Sequence, residues 1–144
     1  MLEQWDTEEI GTIPPGETSS DISNLDAASF VPPVHTKTWF HNGAYLDRDR
    51  ISHLFIHEYY QGDALAALLP DTVLLNGLTL EEEREACRSL KGSILRQEIY
   101  ADDGTDKSQH PYSVSEQNYT IELVQPKSAN RHAVFFVHPR ETID

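Results

Sequence analysis

Residues 119–137 read YTIELVQPKSANRHAVFFV and carry the plainest secondary-structure pattern in the chain. Tyr119, Ile121 and Leu123 recur every second residue, which is the period of a β-strand with one buried face. The segment Pro126–Asn130 predicts a turn, because proline and small polar residues interrupt regular structure. The apolar run Ala133–Val137 then predicts a strand that is buried on both faces. The stretch therefore predicts two strands joined by a short polar turn.

The neighbouring sequence extends this hairpin. Residues 94–100 are rich in β-forming side chains, and a polar loop follows from Asp102 to Pro111. We therefore expect strands at about 94–100, 112–124 and 132–138. Three strands with polar connections predict an antiparallel β meander, and the fold class is α+β with an extended N-terminal segment and one or two helices.

Helices are predicted at about 80–91 and 49–69. Thr79 and Glu82 form the spacing of a capping box, and Gly92 supplies a C-terminal stop. The apolar stripe of this helix is thin: Leu80, Ala86, Cys87 and Leu90. In the other segment Ile51, Leu54, Phe55 and Tyr59 follow a helical period, Asp49 is available as a cap, and Pro70 ends the run. Residues 34–46 are compatible with a strand, a turn at Asn42-Gly43 and a second strand.

Residues 1–33 differ in composition from the rest of the chain. They combine acidic residues with prolines and a Ser/Thr/Asp run, and we expect a linker-like segment followed by one region at 34–144. Leu, Ile, Val and Phe number 35 of 144 residues, about 24%, which is close to the level at which disorder is suspected. Such a lean core predicts that part of the chain is unordered or borrows apolar surface from another polypeptide.

The net charge of −13 excludes some functions. Residues 1–36 carry seven acids and no lysine or arginine. Such a surface repels a phosphate backbone and anionic lipid, so we expect neither nucleic-acid nor membrane binding. A single cysteine, Cys87, forms no internal disulfide. The start of the chain lacks the pattern of a signal peptide.

Candidate catalytic residues are few. His53 and His57 are four residues apart, which on an α-helix places both imidazoles on one face, where they could bind a metal ion. The order H-x-x-x-H-E differs from the zinc-protease pattern, and a third ligand would have to come from His35 or His41. Ordinary polar histidines explain the same residues. Cys87 is a nucleophile candidate, although a small buried apolar residue is the simpler interpretation. A small metal-dependent enzyme and an acidic interaction module at residues 1–36 therefore stay open.

Longer sequence segments resemble one known family. They are LEQWDTEE at 2–9, VHTKTWFHNGAYLD at 34–47, HEYYQGD at 57–63, TLEEEREACRSLKGSILRQEIYADDGT at 79–105, HPYSVSEQNYTIELVQP at 110–126 and HAVFFVHPRETI at 132–143. In this order they resemble the middle/C-terminal region of B components of insecticidal toxin complexes, the TcaC/TcdB-like proteins related to SpvB. The likeness extends over nearly the whole chain.

The resemblance implies a structural role. B components, together with a C component, form a hollow shell of Rhs/YD-type β-sheet that encloses a toxic effector and docks onto a pore-forming A component. The strands predicted above would be wall strands. The resemblance implies no catalytic residue and no cofactor, and a protein that is made in the cytoplasm and secreted within the complex. Because members of this family are much longer, a gene fragment or a split reading frame is expected.

Overall fold

The computed structural model describes residues 1–6, 32–62 and 68–144. Five strands form one sheet: β1 (Leu2–Asp6), β2 (Val34–Phe40), β3 (Ile94–Ala101), β4 (Ser113–Gln125) and β5 (Val134–Ile143). The spatial order is β1-β2-β3-β4-β5, and every pair is antiparallel. One α-helix, α1 (Leu80–Ser89), and two 3-10 helices, His53–Glu58 and Asp106–Gln109, complete the described elements. The predicted α+β fold with a C-terminal antiparallel meander is confirmed.

The three predicted C-terminal strands are present, with one difference in length. β5 continues to Ile143 and therefore beyond the predicted end at residue 138. The prediction that Ala133–Val137 is buried on both faces is wrong. Val134 and Phe136 are 47% and 55% exposed, whereas Phe135 and Val137 pack against the core. An apolar run does not distinguish an edge strand from a central strand, because the sequence of either strand can lack polar residues.

The N-terminal part differs from the expected linker at its first residues. Leu2–Asp6 form β1, which pairs with β2 from Leu2 opposite Thr38 to Asp6 opposite Val34. The rest of the predicted linker, except Pro32 and Pro33, lies outside the described residues. After β2, residues 41–46 form no second strand, and Gly43 takes a positive φ of 84° that suits a residue without a side chain.

The predicted helix at 49–69 is wrong over its described part, where only the 3-10 helix His53–Glu58 is present. Phe55 has non-helical backbone angles (φ −123°, ψ 16°) and kinks it. Asp49 is not its cap. The carboxylate of Asp71 instead accepts the backbone N–H groups of Ile51 and Ser52. A partner twenty residues away thus replaces the continuing helical hydrogen bonds that periodicity alone had predicted.

Helix α1 has the predicted capping box, with the Thr79 side chain and the Glu82 side chain each bound to the other residue's backbone N–H. Its stripe is narrower than predicted, because Leu80 is 55% exposed. Ala86, Cys87 and Leu90 are fully buried and join Leu95 and Ile121 in the hydrophobic core. The core thus lies between α1 and one face of the sheet. The opposite face carries the polar cluster described next.

Candidate functional site: a buried charged cluster

Three charged side chains are buried on the sheet face that points away from α1. Arg96 is 3% exposed, Glu98 is 0% exposed and Glu116 is 5% exposed. Arg96 and Glu98 share a face of β3 because they are two residues apart, and Glu116 on β4 lies directly opposite Arg96 in the register. Strand periodicity and register therefore bring the three side chains together. We call Arg96, Glu98 and Glu116 the charged cluster.

The guanidinium of Arg96 binds both carboxylates. Its Nε donates to Glu98 Oε1 at 2.7 Å, and its Nη1 donates to Glu116 Oε2 at 2.8 Å. Burying a charge is costly unless the charge is paired and fully hydrogen-bonded, and removing one partner leaves the other uncompensated. With one cation for two anions, the charged cluster depends on further donors.

Those donors are the hydroxyl of Tyr100 on β3 and the backbone N–H groups of Tyr60 and Leu69. The hydroxyl of Tyr100 donates to Glu98 Oε2 at 2.6 Å. The backbone N–H of Tyr60 donates to Glu98 Oε1 at 2.9 Å, and that of Leu69 donates to Glu116 Oε1 at 2.8 Å. All four carboxylate oxygens are thereby bound within the chain. The charged cluster therefore binds the loop backbone at Tyr60 and at Leu69 to the sheet.

Aromatic side chains cover the charged cluster. The guanidinium carbon of Arg96 lies 4.9 Å from the centre of the Tyr59 ring, which packs edge-on against Trp39. Trp39 Nε1 donates to Glu58 Oε2 at 2.9 Å. Burial raises the pKa of the Tyr59 and Tyr100 hydroxyls, and for Tyr100 the hydrogen bond to Glu98 adds to the effect. Both hydroxyls therefore stay protonated near neutral pH, and Tyr100 remains a donor.

The predicted metal candidates do not converge. The 3-10 helix is kinked at Phe55, between His53 and His57, so the two residues do not have the α-helical spacing that would place both imidazoles on one face. His53 Nε2 bonds to the carbonyl of Leu69 at 2.9 Å. His41 Nε2 bonds to the carbonyl of Ile51 at 2.8 Å, and its Nδ1 accepts the N–H of Gly43. Among the described residues, no three His, Cys, Asp or Glu side chains are arranged to hold a metal ion.

Cys87 is a core residue. It is 0% exposed and packs among apolar side chains, as the simpler interpretation predicted. Desolvation raises the pKa of its thiol to about 11, and the charge of Glu83 adds to this effect. The nucleophilic thiolate is therefore scarce at neutral pH.

Sequence reasoning missed the acids of α1 that bind other segments. Glu82 accepts the backbone N–H of Lys127 at 3.0 Å, and Glu85 accepts that of Ala133 at 2.8 Å and bonds to His132 Nδ1 at 2.9 Å. Glu83 accepts the hydroxyl of Tyr45 and pairs with Arg48. The local sequence pattern gave only Glu82 a role, in the capping box. The partners of these acids lie 35–48 residues away in the sequence, so no local pattern indicated them.

We compared the chain with known protein families and solved structures. Within the described residues the chain forms an antiparallel sheet whose buried carboxylates bind backbone N–H groups of its own loops. Residues 85–144 match the model of the family described as the insecticide toxin TcdB middle/C-terminal region. The predicted resemblance to a toxin-complex B component is confirmed over this part of the chain.

Solved structures agree with this assignment. The chain is similar to the TcdB2-TccC3-Cdc42 crystal structure, with 25% identity over 81% of this chain and a TM-score of 0.64. It is also similar to a Photorhabdus luminescens Tc holotoxin pore, with 26% identity over 78% and a TM-score of 0.63, and to TcdB2-TccC3, with 26% identity over 78% and a TM-score of 0.62. The chain spans only 5–6% of the length of these solved chains. No curated protein is significantly similar to it.

Within the described ranges, none of the helices combines the length and apolarity that a bilayer span requires.

Proposed function

We propose that this chain is a non-catalytic structural segment of a toxin-complex B component and contributes wall strands to the β-sheet shell around a toxic effector. The observation that carries the proposal is the family match over residues 85–144, which contains β3 to β5. The solved structures that the chain resembles are those of TcdB2-TccC3-Cdc42 and TcdB2-TccC3.

The free surfaces of the sheet support this role. β5 pairs only with β4 among the described residues, so its outer edge has backbone groups available for a further strand. Val124, Val134 and Phe136 are 47–65% exposed and lie together on the hairpin of β4 and β5, on the face opposite the core. A wall segment needs such surfaces, because its neighbours complete both the hydrogen bonding and the apolar burial.

The charged cluster fits a structural role better than a catalytic one. A general acid or base needs a carboxylate oxygen that substrate can reach. Every oxygen of Glu98 and Glu116 already accepts a bond from within the chain. The two carboxylates therefore have a structural role: they bind Arg96 and the loop backbone at Tyr60 and Leu69.

The proposed partners are the remainder of the B component and the C component, and the A component through the full-length protein. We propose neither nucleic acid nor membrane as a partner of the isolated chain, because a net charge of −13 repels both. The predicted division of the chain is a linker-like segment at 1–33 and one region at 34–144. We propose that it holds apart from β1, which pairs with β2. The chain would be made in the cytoplasm and secreted within the complex.

A complementation experiment tests the wall-segment function. A B component that lacks the matching segment would be produced with its C component, and this chain would be added as a separate polypeptide. We expect the chain to co-purify with the shell and to restore protection of the enclosed effector against protease. Phe136→Asp should abolish both effects, whereas Leu46→Asp, at an exposed residue outside β4 and β5, should not. The proposal fails if the chain stays apart from the shell and protection is not restored.

A further inference from the structure

His41 connects three parts of the chain. It directly follows β2 and is 1% exposed. Its backbone N–H donates to the carbonyl of Ser93 at 2.8 Å, and its carbonyl accepts the N–H of Gly92 at 2.9 Å, so that its backbone binds the turn after α1. Its ring binds residues of the segment 41–52, which we call the 41–52 loop. His41 therefore joins β2, the end of α1 and the 41–52 loop.

The two ring nitrogens of His41 have partners of opposite kinds. Nε2 lies 2.8 Å from the carbonyl of Ile51, which can only accept, and Nδ1 lies 2.9 Å from the N–H of Gly43, which can only donate. A neutral imidazole with its proton on Nε2 satisfies both partners. A second proton would sit on Nδ1 and point at the Gly43 N–H. The contacts of the ring therefore fit the neutral form and conflict with the imidazolium.

The 41–52 loop contributes to the hydrophobic core and binds α1. Ile51 is 0% exposed in the core, and Tyr45 packs against the core. The Tyr45 hydroxyl donates to Glu83 on α1, and Arg48 forms an ion pair with the same carboxylate, a pair that carries no net charge. Release of the 41–52 loop would therefore loosen α1 and uncover part of the core.

We infer that His41 is an acid-sensitive switch, whose protonation releases the 41–52 loop from the core. An imidazolium would lose the bond from Gly43 and would place a charge in a buried position, and both changes are costly. When the loop opens, water reaches the ring and can bind the second proton. Acid therefore shifts the equilibrium toward the open loop. This inference does not depend on the proposed shell function, because it rests on contacts within the chain.

Charged groups around His41 act in opposite directions. The Asp71 carboxylate favours the imidazolium, but it already accepts two backbone N–H groups of the chain. Arg88 and Lys91, in the last turn of α1 and just after it, lie beside Gly43, and their cations oppose the imidazolium. Burial has the largest effect and lowers the pKa of His41 below its ordinary value.

The lowered pKa of His41 determines the direction of the pH dependence. In the open loop the imidazole has its ordinary pKa of about 6.5, whereas in the closed loop the pKa is lower. The closed loop is therefore most stable well above pH of about 6.5, loses stability as pH falls through this value, and loses no more below the lowered pKa. Between pH 8 and 5.5 the equilibrium constant for opening should rise by up to about tenfold. Ordinary carboxyl groups, with a pKa of about 4, do not titrate in this range.

Nuclear magnetic resonance of the wild type tests the protonation state. With nitrogen-labelled histidine, the His41 ring in the folded chain should show the neutral Nε2–H tautomer from pH 8 to 5.5. In the chain unfolded in urea, the same ring should titrate near pH of about 6.5. A His41 ring that titrates near this value in the folded chain while the loop stays closed would contradict the inference.

Hydrogen exchange measures the opening of the 41–52 loop. After correction for the intrinsic pH dependence of exchange, the Gly43 and Ile51 amides should lose up to about tenfold of their protection between pH 8 and 5.5, whereas the Ile121 amide in β4 should not change. His41→Gln should remove this pH dependence, whatever its effect on stability, because glutamine does not titrate. His138→Gln, at a histidine on β5, is the matched control and should retain it. The inference is overturned if the dependence persists in His41→Gln, or if the wild type lacks it.

Discussion

Arg96 on β3 and Glu116 on β4 lie directly opposite each other, and the guanidinium donates to the carboxylate at 2.8 Å with both side chains almost completely buried. The same guanidinium binds Glu98 at 2.7 Å. The sheet therefore has a charged interior on one face and a hydrophobic core on the other. This asymmetry determines which substitutions the chain tolerates.

Replacing Arg96 by methionine should destabilise the chain strongly. Glu98 and Glu116 would remain buried without their cation, and loss of one partner of a buried pair costs about 3–5 kcal/mol. The free energy of unfolding in urea measures the effect. Arg140→Met is the matched control, because Arg140 pairs with Glu141 in a half-exposed position and its loss should cost about 1 kcal/mol or less. Equal costs for the two variants would contradict a stabilising role of the charged cluster.

Two leucines of the α1 region should respond differently to truncation. Leu90 is 0% exposed in the core, so Leu90→Ala should cost about 2–5 kcal/mol through lost burial and the cavity left behind. Leu80→Ala should cost within about 0.5 kcal/mol, because Leu80 is 55% exposed. Thermal or urea unfolding measures both. A large loss in Leu80→Ala would mean that this side chain is covered in solution.

Stability should decrease in acid because three carboxylates bind better when ionised. Hydrogen bonds lower the pKa of Glu82 and Glu85, chiefly from Thr79 and from His132 respectively, and the bond from Asn118 lowers that of Glu141. A lowered pKa in the folded state stabilises the chain above the unfolded pKa of about 4.3, and this stability is lost as pH falls through the folded values.

Urea unfolding between pH 6 and pH 3 would measure this loss. Glu85→Gln should flatten the profile, because the glutamine amide does not titrate in this range. Glu122→Gln, on an exposed strand residue, is the control and should leave the slope unchanged. A Glu85→Gln profile parallel to that of the wild type would contradict the assignment.

The Cys87 thiol should react slowly in the folded chain. It is buried, and its pKa is raised to about 11, so both access and thiolate concentration are low. A colorimetric disulfide reagent at pH 8 should modify it at a rate limited by unfolding, and rapidly in 6–8 M urea. Fast modification under native conditions would show that α1 leaves the sheet readily.

Zinc should bind equally weakly to the wild type and to His57→Ala. A kinked 3-10 helix replaces the α-helical spacing of His53 and His57, and the ring of His53 is bonded to the carbonyl of Leu69. Isothermal titration calorimetry compares the two proteins. A clear wild-type heat that disappears in the variant would restore the metal-enzyme hypothesis.

Local patterns predicted the elements that depend on local interactions. The alternation around Ile121 and the capping box of Thr79 and Glu82 located β4 and α1, because period and capping operate within a few residues. The charged cluster could not be predicted in this way. Arg96 and Glu116 are twenty residues apart, and buried charges are rare, so only the register of β3 and β4 reveals the pair.

The wrong predictions have a common physical cause: the residues concerned interact with partners that are distant in the sequence. Residues 49–62 have a helical period, but Asp71 and Glu98 bind backbone N–H groups of this segment and favour a short 3-10 helix. β1 appeared to be part of a linker because its pairing partner begins at Val34, far along the chain. The suggested metal pair His53 and His57 relied on α-helical spacing, which the kinked 3-10 helix does not provide.

The neighbour-to-neighbour order of β3, β4 and β5 affects how the chain acquires its structure. The two connections, residues 102–112 and 126–133, join strands that are neighbours in the sheet, so the contacts between these strands are local in sequence. These strands are therefore suited to assemble early, while a nascent polypeptide is still leaving the ribosome. In a polypeptide many times longer, such an early-forming unit would offer a template on which later strands add in turn.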